Sequence, residues 1–412
     1  MPTSNDLHSR DIRSQLHPYT NAVKHRSSGP RIIERGDGIY VYDDQGNQYL
    51  EAMAGLWSVA VGFNEPRLVE AAARQMGKLP FYHTFTHKAH TPSIELAERL
   101  VNQTGGKMAT AFFTNSGSEA NDTVIKFVWY YNNALGRPRK KKIIARQRAY
   151  HGVTVASASL TGLPGNHRDF DLPLPQVRHV GCPHHYRNAN PGETEEEFAS
   201  RLAAELDAMI EQEGPDTVAA FIGEPVMGAG GVIVPPRTYW DKIQAVCRKH
   251  DVLVIADEVI TGFGRLGTYF GCDAFGIEPD IMVLSKQITS SYQPLAAVLL
   301  SPKVNAVIAE NSGKIGTLGH GYTPAAIPWP LPSRWKIWPS STSAGWSRTP
   351  QPRVPCCSRN CASSPAIRWS AKCAGWALSR RWNWSPTSRA SGRSTRWARR
   401  VPTPTSRPTS TG

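Results

Sequence analysis

The chain has 412 residues, of which 40% are apolar, enough for two or three domains with a substantial core. Its formal net charge of +14 is concentrated at one end. Residues 324–412 contain 15 of the 47 Lys and Arg residues and none of the 33 Asp and Glu residues. The residues before them therefore carry 32 basic and 33 acidic side chains. A nearly neutral body argues against a polyanionic partner, and the lack of an apolar leader or of a run of about 18 apolar residues argues against secretion or a membrane span, so we expect a cytosolic protein.

The first predicted elements are a β-hairpin and two amphipathic helices. The segments "GIYVYD" (38–43) and "QYLEAM" (48–53) flank the turn residues "DQGN" (44–47), which is typical of a hairpin. Apolar residues at helical spacing then predict helices over 66–76 and 92–101, the second with a proline in its first turn.

Beyond residue 108 the chain alternates between apolar strands and segments with helical patterning. This alternation predicts an α/β fold with a mostly parallel central sheet and helices between its strands. The predicted strands are "ATAFFTN", "KIIARQ", "TVAAFIG", "VLVIAD" and "DIMVLS".

Polar residues follow the carboxyl ends of these strands. In parallel α/β sheets ligands bind at that edge, so these residues are candidates for one site. They are the segment "SGSEAND" (116–122), the segment "AYHG" (149–152), Glu224, Asp257 and Lys286.

Lys286 and Asp257 indicate a specific chemistry when they are taken together. A partly desolvated lysine loses its proton more readily and can form an imine with an aldehyde, although a lone lysine after a strand is more often a surface residue. A lone aspartate in the position of Asp257 more often caps a turn. Beside an imine-forming lysine, however, it can keep a pyridine nitrogen protonated.

The segment after the first of these strands offers an anion site. A Gly and Ser turn opens directly into a helix, so free N–H groups of Gly117 and Ser118 are expected to hold a phosphate, unless the serines only cap the helix. Tyr150 and His151 place rings where a planar cofactor can stack, or alternatively are packing residues.

Two other classes of site are not favoured. "GFGRLG" (262–267) matches a dinucleotide-binding pattern, but the residues after it are too rich in Gly and Pro for the required helix. The four cysteines of residues 324–412 form no CxxC pair, and we predict no metal site. The other three, Cys182, Cys247 and Cys272, suit a reduced interior.

Together these motifs resemble the class III pyridoxal-phosphate aminotransferases, particularly the ω-transaminases that use pyruvate as acceptor. The resemblance covers residues 31–323 in family order. It rests on "AMAGLW", "LPFYHTF", "FFTNSGSEAND", "AYHG", "FIGEPVMGAGGVIVPP", "ADEVITGFGRLG" and "LSKQITSSYQP". It implies fold type I, pyridoxal 5'-phosphate as cofactor, and a homodimer with active sites at the subunit interface, acting on small-molecule amines and keto acids without nucleic acid or a membrane as partner.

The resemblance also implies roles for individual residues. Lys286 resembles the lysine that binds the cofactor covalently and acts as acid and base, and Asp257 the partner of the ring nitrogen. The other implied cofactor-binding residues are Gly117 and Ser118 at the phosphate, Tyr150 with His151 at one face of the ring, Val259 at the other, Glu224 in the surroundings of the cofactor, and Thr323, which would reach the phosphate of the neighbouring subunit. Trp57 resembles a wall of the substrate pocket.

The implied reaction moves an amino group from an amine or ω-amino acid to a keto acid by a ping-pong mechanism, with Lys286 as the catalytic residue. The amine donor stays open. A 2-oxoglutarate-linked aminotransferase, an aminomutase of the same family and an inactive, pseudogene-like product are the alternatives.

Residues 324–412 differ in character from everything before them. They contain nine of the 12 Trp residues, no acid and no periodicity, and their first codons, read one base earlier, can encode a segment close to the family's. We therefore expect three regions: an N-terminal segment with the hairpin (1–60), a large cofactor-binding domain (61–323), and a frameshifted, disordered tail (324–412) in place of the small C-terminal domain. Such a chain is expected to fold poorly or to be inactive. A basic nucleic-acid-binding tail is the competing interpretation.

Overall fold

A computed structural model describes residues 6–325 of the protein, so the predicted tail lies outside the described residues except for Pro324 and Ala325. Short 3₁₀ turns occur at Pro164–Asn166 and Lys286–Ile288. The strands are β1 (Ile33–Asp37), β2 (Tyr40–Asp43), β3 (Gln48–Leu50), β4 (Thr110–Thr114), β5 (Lys142–Arg146), β6 (Val177–Val180), β7 (Val218–Gly223), β8 (Leu253–Asp257), β9 (Ile281–Leu284) and β10 (Ala296–Leu300). The helices are α1 (Leu7–Ser14), α2 (Ala22–Ser28), α3 (Ala54–Trp57), α4 (Pro66–Lys78), α5 (Thr91–Gln103), α6 (Gly117–Ala134), α7 (Val155–Leu160), α8 (His185–Asn188), α9 (Glu195–Glu213), α10 (Tyr239–Lys249), α11 (Gly271–Phe275) and α12 (Pro302–Ile315).

The predicted hairpin is confirmed as part of a small antiparallel sheet with the order β1-β2-β3. Its turn is held by the Asp43 carboxylate, whose Oδ1 accepts hydrogen bonds from the backbone N–H of Gln45 at 3.1 Å and of Asn47 at 2.8 Å. An aspartate that bonds the backbone two residues ahead favours a turn over a continued strand, which explains why the chain reverses here.

The large sheet contains seven strands within residues 6–325, in the order β4-β10-β9-β8-β7-β5-β6. Strands β5 to β9 pair in parallel, and β10 pairs antiparallel with both β4 and β9. The predicted mostly parallel α/β fold is therefore confirmed. Strands β6 and β10 were not among the predicted strands. In β6, "VRHV" carries two polar side chains within four residues, whereas β10, "AAVLL", is apolar throughout.

Each central strand is apolar on both faces because each face supports a separate core. In β8, Val254 packs with the core beneath α9 and α10, whereas its neighbour Ile255 packs with the core beneath α6 and α12. Alternate residues of a strand point to opposite faces, so two covered faces require an unbroken apolar run. The unbroken apolar runs that predicted the strands thus also explain why helices cover both faces of the sheet, as expected.

This arrangement places the carboxyl ends of β5, β7, β8 and β9 at one edge of the sheet, beside the first turn of α6. Within residues 6–325, no helix combines the length and the apolar character needed to cross a bilayer. The cytosolic location and the three region boundaries stay predictions.

Phe198 tests the core under α9. Its ring is fully buried, so Phe198→Ala should lower the free energy of unfolding by about 3–5 kcal/mol, as expected for a large cavity in a close-packed core. Urea unfolding followed by far-ultraviolet circular dichroism measures the change. Phe170→Ala is the matched control, since that side chain is 69% exposed and should change stability by less than about 0.5 kcal/mol. Equal effects of the two substitutions would contradict this packing.

Candidate active site

A cavity of about 240 Å³ lies at the carboxyl edge of the sheet. Most of the residues predicted to bind the cofactor line it, although they come from five separate stretches of the chain. These are Gly117, Ser118, Tyr150, His151, Glu224, Asp257, Val259 and Lys286. Thr323 is exposed and, like Trp57, is not part of the cavity wall.

The carboxylate of Asp257 is fixed by three donors. Its Oδ2 accepts a hydrogen bond from Nδ2 of Asn121 at 3.0 Å and lies 2.7 Å from Nδ1 of His151, while its Oδ1 accepts from the backbone N–H of Val259 at 3.1 Å. The side chain is almost completely buried, and a buried carboxylate is stable only when it is hydrogen-bonded in this way. Oδ1 keeps a lone pair that can accept a hydrogen bond from a bound ring nitrogen.

Lys286 follows β9 in a strained backbone conformation. Its φ of 47° lies in the left-handed region that a non-glycine residue rarely adopts, as is common for residues in functional sites. Burial lowers the pKa of its amino group, and the nearby positive charge of Arg265 acts in the same direction, against the opposing effect of Asp257 and Glu224. More of the free amine is therefore present at neutral pH than for an exposed lysine.

The first turn of α6 lines the cavity and offers an anion-binding site. Ser116 caps the helix, since its Oγ accepts from the backbone N–H of Glu119 at 3.2 Å. The N–H groups of Gly117 and Ser118 precede the first hydrogen bonds within the helix, so they can bind an anion with the help of the helix dipole. A side chain at position 117 would lie 3.2 Å from Val259 Cγ2, which shows how closely the backbone and the apolar wall approach.

Glu224 joins the loop after β5 to the loop after β7. Its Oε1 accepts from the backbone N–H of Tyr150 at 3.1 Å and its Oε2 from that of Gly228 at 2.8 Å. Burial raises the pKa of Glu224. Burial also raises the pKa of the Tyr150 hydroxyl, which is hydrogen-bonded to Tyr19 from the N-terminal segment. Glu224 thus holds the loop that carries the Tyr150 ring.

The residues fit a flat, anionic cofactor with a ring nitrogen. Asn121 Oδ1 and His151 Nε2, both from residues that line the cavity, are buried polar atoms without a hydrogen-bond partner among residues 6–325. Buried polar atoms are nearly always paired, so their condition indicates a bound polar group. The carboxylate would hold the ring nitrogen of such a cofactor, and the amine would hold its aldehyde. The aromatic ring would cover one face, and the helix N-terminus would bind the phosphate.

Trp57 lies in an unusual turn that was not predicted from the sequence. All four residues of α3 have positive φ, between 47° and 66°, which costs about 1–2 kcal/mol for each residue other than glycine. Arg265 Nη2 donates to the Trp57 carbonyl at 2.9 Å, and Ser290 Oγ accepts from the N–H groups of Ala60 at 2.8 Å and Val61 at 3.1 Å. The segment "GFGRLG" therefore supports this turn through Arg265. The next helix along the chain, α11, begins only at Gly271, so this segment does not open directly into a helix.

The sequence model of the class III aminotransferases matches residues 22–328. The chain belongs to this family. Class III aminotransferases use pyridoxal 5'-phosphate, and the expected fold type I is confirmed together with the family.

Curated relatives from plants match the same part of the chain. A mitochondrial γ-aminobutyrate transaminase 1 of Solanum lycopersicum is 58% identical over 314 residues, which are 76% of this chain and 61% of the relative. A probable mitochondrial γ-aminobutyrate transaminase 2 of Oryza sativa subsp. indica is 57% identical over 316 residues, or 76% of this chain and 64% of the relative. This class III chain thus spans less than two thirds of the length of these relatives.

Solved structures give the same assignment. An ω-transaminase of Pseudomonas jessenii in complex with PMP has a TM-score of 0.78 and 66% sequence identity, covering 79% of this chain and 72% of its own. A thermostable, engineered ω-transaminase variant has the same TM-score with 67% identity, covering 78% of this chain and 72% of its own. The roles of the individual site residues stay predictions, which the geometry above makes specific.

Ser290 tests the support of the Trp57 turn. Ser290→Ala removes the acceptor for the Ala60 and Val61 N–H groups, and a lost hydrogen bond of about 0.5–1.5 kcal/mol should speed their hydrogen exchange roughly two- to tenfold. Hydrogen-exchange mass spectrometry of peptides covering residues 54–61 measures this. Ser291→Ala is the control, since Ser291 is exposed and should leave the exchange unchanged. An unchanged rate in Ser290→Ala would contradict the assignment.

Proposed function

We propose that the cavity binds pyridoxal 5'-phosphate and that the protein, when its C-terminal domain is intact, transfers an amino group from an amine or ω-amino acid to pyruvate. The observation that carries this proposal is the convergence of Lys286, Asp257 and the first turn of α6 on one cavity. The names of the relatives support an ω-amino donor, because γ-aminobutyrate carries its amino group at the end of the chain.

Asp257 would set the electronic state of the cofactor. The bound cofactor supplies an electron sink for the substrate carbon, which requires a protonated ring nitrogen. His151 and Asn121 hold the Asp257 carboxylate in one orientation through their contacts with its Oδ2. Asp257 can therefore keep a proton on a ring nitrogen that faces its Oδ1.

Lys286 would act twice. Its lowered pKa leaves Nζ more often unprotonated, so Nζ would be available to hold the cofactor through its aldehyde carbon and to take a proton from the substrate carbon. Meanwhile Gly117 and Ser118 would hold the phosphate. The left-handed turn at Trp57 would close the substrate side and exclude water from the reacting atoms.

The expected homodimer is also a proposal. Two short segments before α5 expose several large apolar side chains, and exposed groups of this kind commonly mark interfaces. Each is at least 41% exposed: Met53, Leu56, Phe81, Tyr82 and Phe85. A second copy of the chain would cover them and would let Thr323 approach the phosphate of its neighbour.

The altered tail would impair substrate handling. The family match ends at residue 328, and the matched part makes up 61% of the length of the Solanum lycopersicum relative. We propose that residues from about 324 onwards are a frameshifted translation and that this chain therefore lacks contacts that close the site over the keto acid. A 2-oxoglutarate-linked reaction and an inactive product are the competing outcomes.

Lys286 can be tested directly as the attachment site. The full chain, incubated with pyridoxal 5'-phosphate and reduced with borohydride, should carry one cofactor mass on the peptide that contains Lys286, and Lys286→Ala should carry none there, because no other amine is expected to share the buried cavity. Peptide mass spectrometry provides the measurement. Lys303→Ala, on the outer helix α12, is the control and should be labelled normally. Specific labelling of the same peptide in Lys286→Ala would contradict the proposal.

Restoring the reading frame tests the effect of the tail. A gene with the frame shifted by one base ahead of codon 324 should give a protein whose amine:pyruvate turnover exceeds that of the present chain by at least about a hundredfold, since small displacements of the substrate cost rates of that order. Alanine formation from pyruvate measures it, and 2-oxoglutarate is assayed in parallel. Comparable rates for the two proteins would refute the impairment, and a preference for 2-oxoglutarate would refute the pyruvate assignment.

A further inference from the structure

A cluster of side chains of the types that bind metals lies within residues 11–25, a part of the chain that the proposed reaction does not use. Asp11 in α1 lies between two histidine rings: its Oδ1 is 2.9 Å from Nε2 of His17, and its Oδ2 is 2.8 Å from Nε2 of His25. The ligand atoms of the three residues all lie within 4.8 Å of one another. The centroids of the two rings are 4.3 Å apart, and the ring planes are tilted by 41°. Both Nε2 atoms contact the same carboxylate.

The distances fit a tetrahedral metal site. Zinc bonds to histidine nitrogen and carboxylate oxygen are about 2.0–2.2 Å long, so two ligand atoms at neighbouring corners of a tetrahedron are about 3.3 Å apart. The nitrogen–oxygen distances of 2.8 Å and 2.9 Å need to widen by only a few tenths of an ångström. Rotation of three side chains could supply this without movement of α1 or α2.

Burial and space also favour a bound ion. The exposed fractions of the side chains are 14% for Asp11, 25% for His17 and 12% for His25. His17 and His25 line a cavity of about 270 Å³, which has room for a water molecule as fourth ligand. Arg13 and Arg26 line the same cavity, and their positive charge should limit the affinity for a cation.

We propose that Asp11, His17 and His25 bind one divalent transition-metal ion, with Zn²⁺ preferred and water completing its coordination. Two imidazoles and one carboxylate suit such ions better than Ca²⁺ or Mg²⁺, which take mainly oxygen ligands. The ion would join α1 to α2 across the loop that carries Tyr19. Tyr19 accepts a hydrogen bond from Asn166 Nδ2 at 2.7 Å and contacts Tyr150, so the metal would order the segment that reaches the active-site loop.

A second cluster of similar composition is a useful contrast. Asp207 and His250 also lie in contact, together with Glu211. There, however, Lys249 Nζ already binds both oxygens of Asp207 at 2.9 Å and 2.8 Å, and the Glu211 side chain is 58% exposed. A cation site that is already filled by an ammonium group is not expected to take a metal.

Metal binding can be measured on the full chain after removal of metal with a chelator. Titration with Zn²⁺ should show one saturable site that His17→Gln, His25→Gln and Asp11→Asn each weaken by at least about 10–100-fold, since even partners that only orient a ligand have effects of that size. His250→Gln is the matched control and should leave the affinity unchanged. Co²⁺ provides a second readout, because its visible bands report tetrahedral geometry and its ultraviolet charge-transfer bands report thiolate ligands.

The proposal is wrong if the chain has no saturable Zn²⁺ site, if the three substitutions leave the affinity unchanged, or if bound Co²⁺ shows thiolate bands, which would place it at cysteines instead. If no saturable site is found, the contacts of Asp11 with His17 and His25 would serve only as hydrogen bonds that link α1 to α2 and the loop between them. Circular dichroism of each variant, and the borohydride labelling of Lys286, guard against misfolding. Because Zn²⁺ binding is read without turnover, its failure is distinct from failure of the proposed amino transfer.

Discussion

The site depends on one buried carboxylate that three separate parts of the chain hold in place. Asp257 ends β8, and its hydrogen-bond partners come from α6, from the loop after β5 and from its own following turn. An uncompensated buried charge would cost several kcal/mol, so the carboxylate is stable only while α6 and the loop after β5 keep their places against the sheet. The two cores on either face of the sheet fix those places. The packing that stabilises the sheet is therefore also what keeps the Asp257 carboxylate in position.

The strand that carries Asp257 could be predicted, but the partners of Asp257 could not. "VLVIAD" is apolar on both faces because both faces are covered, and this pattern is local. The bond to His151 joins residues 106 positions apart, and the bond to Asn121 joins residues 136 apart. These contacts follow from the strand order β9-β8-β7-β5, with α6 packed across it, and no local pattern encodes that order. Sequence reasoning therefore placed His151 beside a cofactor ring and left Asn121 out.

Features that depend on long-range contacts were missed for the same reason. The left-handed turn at residues 54–57 contains only one glycine, Gly55, so propensity argues against it, and its stability comes from Arg265 and Ser290 far along the chain. Likewise, Asp11, His17 and His25 have a spacing that matches no common metal-binding motif, and only the packing of α1 against α2 brings them together. "GFGRLG" was not interpreted as a dinucleotide motif, and its contact with the Trp57 carbonyl through Arg265 was not foreseen.

The contacts of the proposed cofactor site all lie before the altered tail in the chain. The donors that fix Asp257 and Glu224 lie between residues 121 and 259, and the large sheet is complete by Leu300, before the change of character at Pro324. The residues proposed to contact the cofactor thus have their packing settled within the described part of the chain. Thr323, by contrast, is exposed and acts, by resemblance, only on a neighbouring subunit. Under the proposed function, a change of reading frame after Thr323 would leave Lys286 and its surroundings in place and remove the groups proposed to present the keto acid, so the loss should fall on the second half of the proposed reaction before the first.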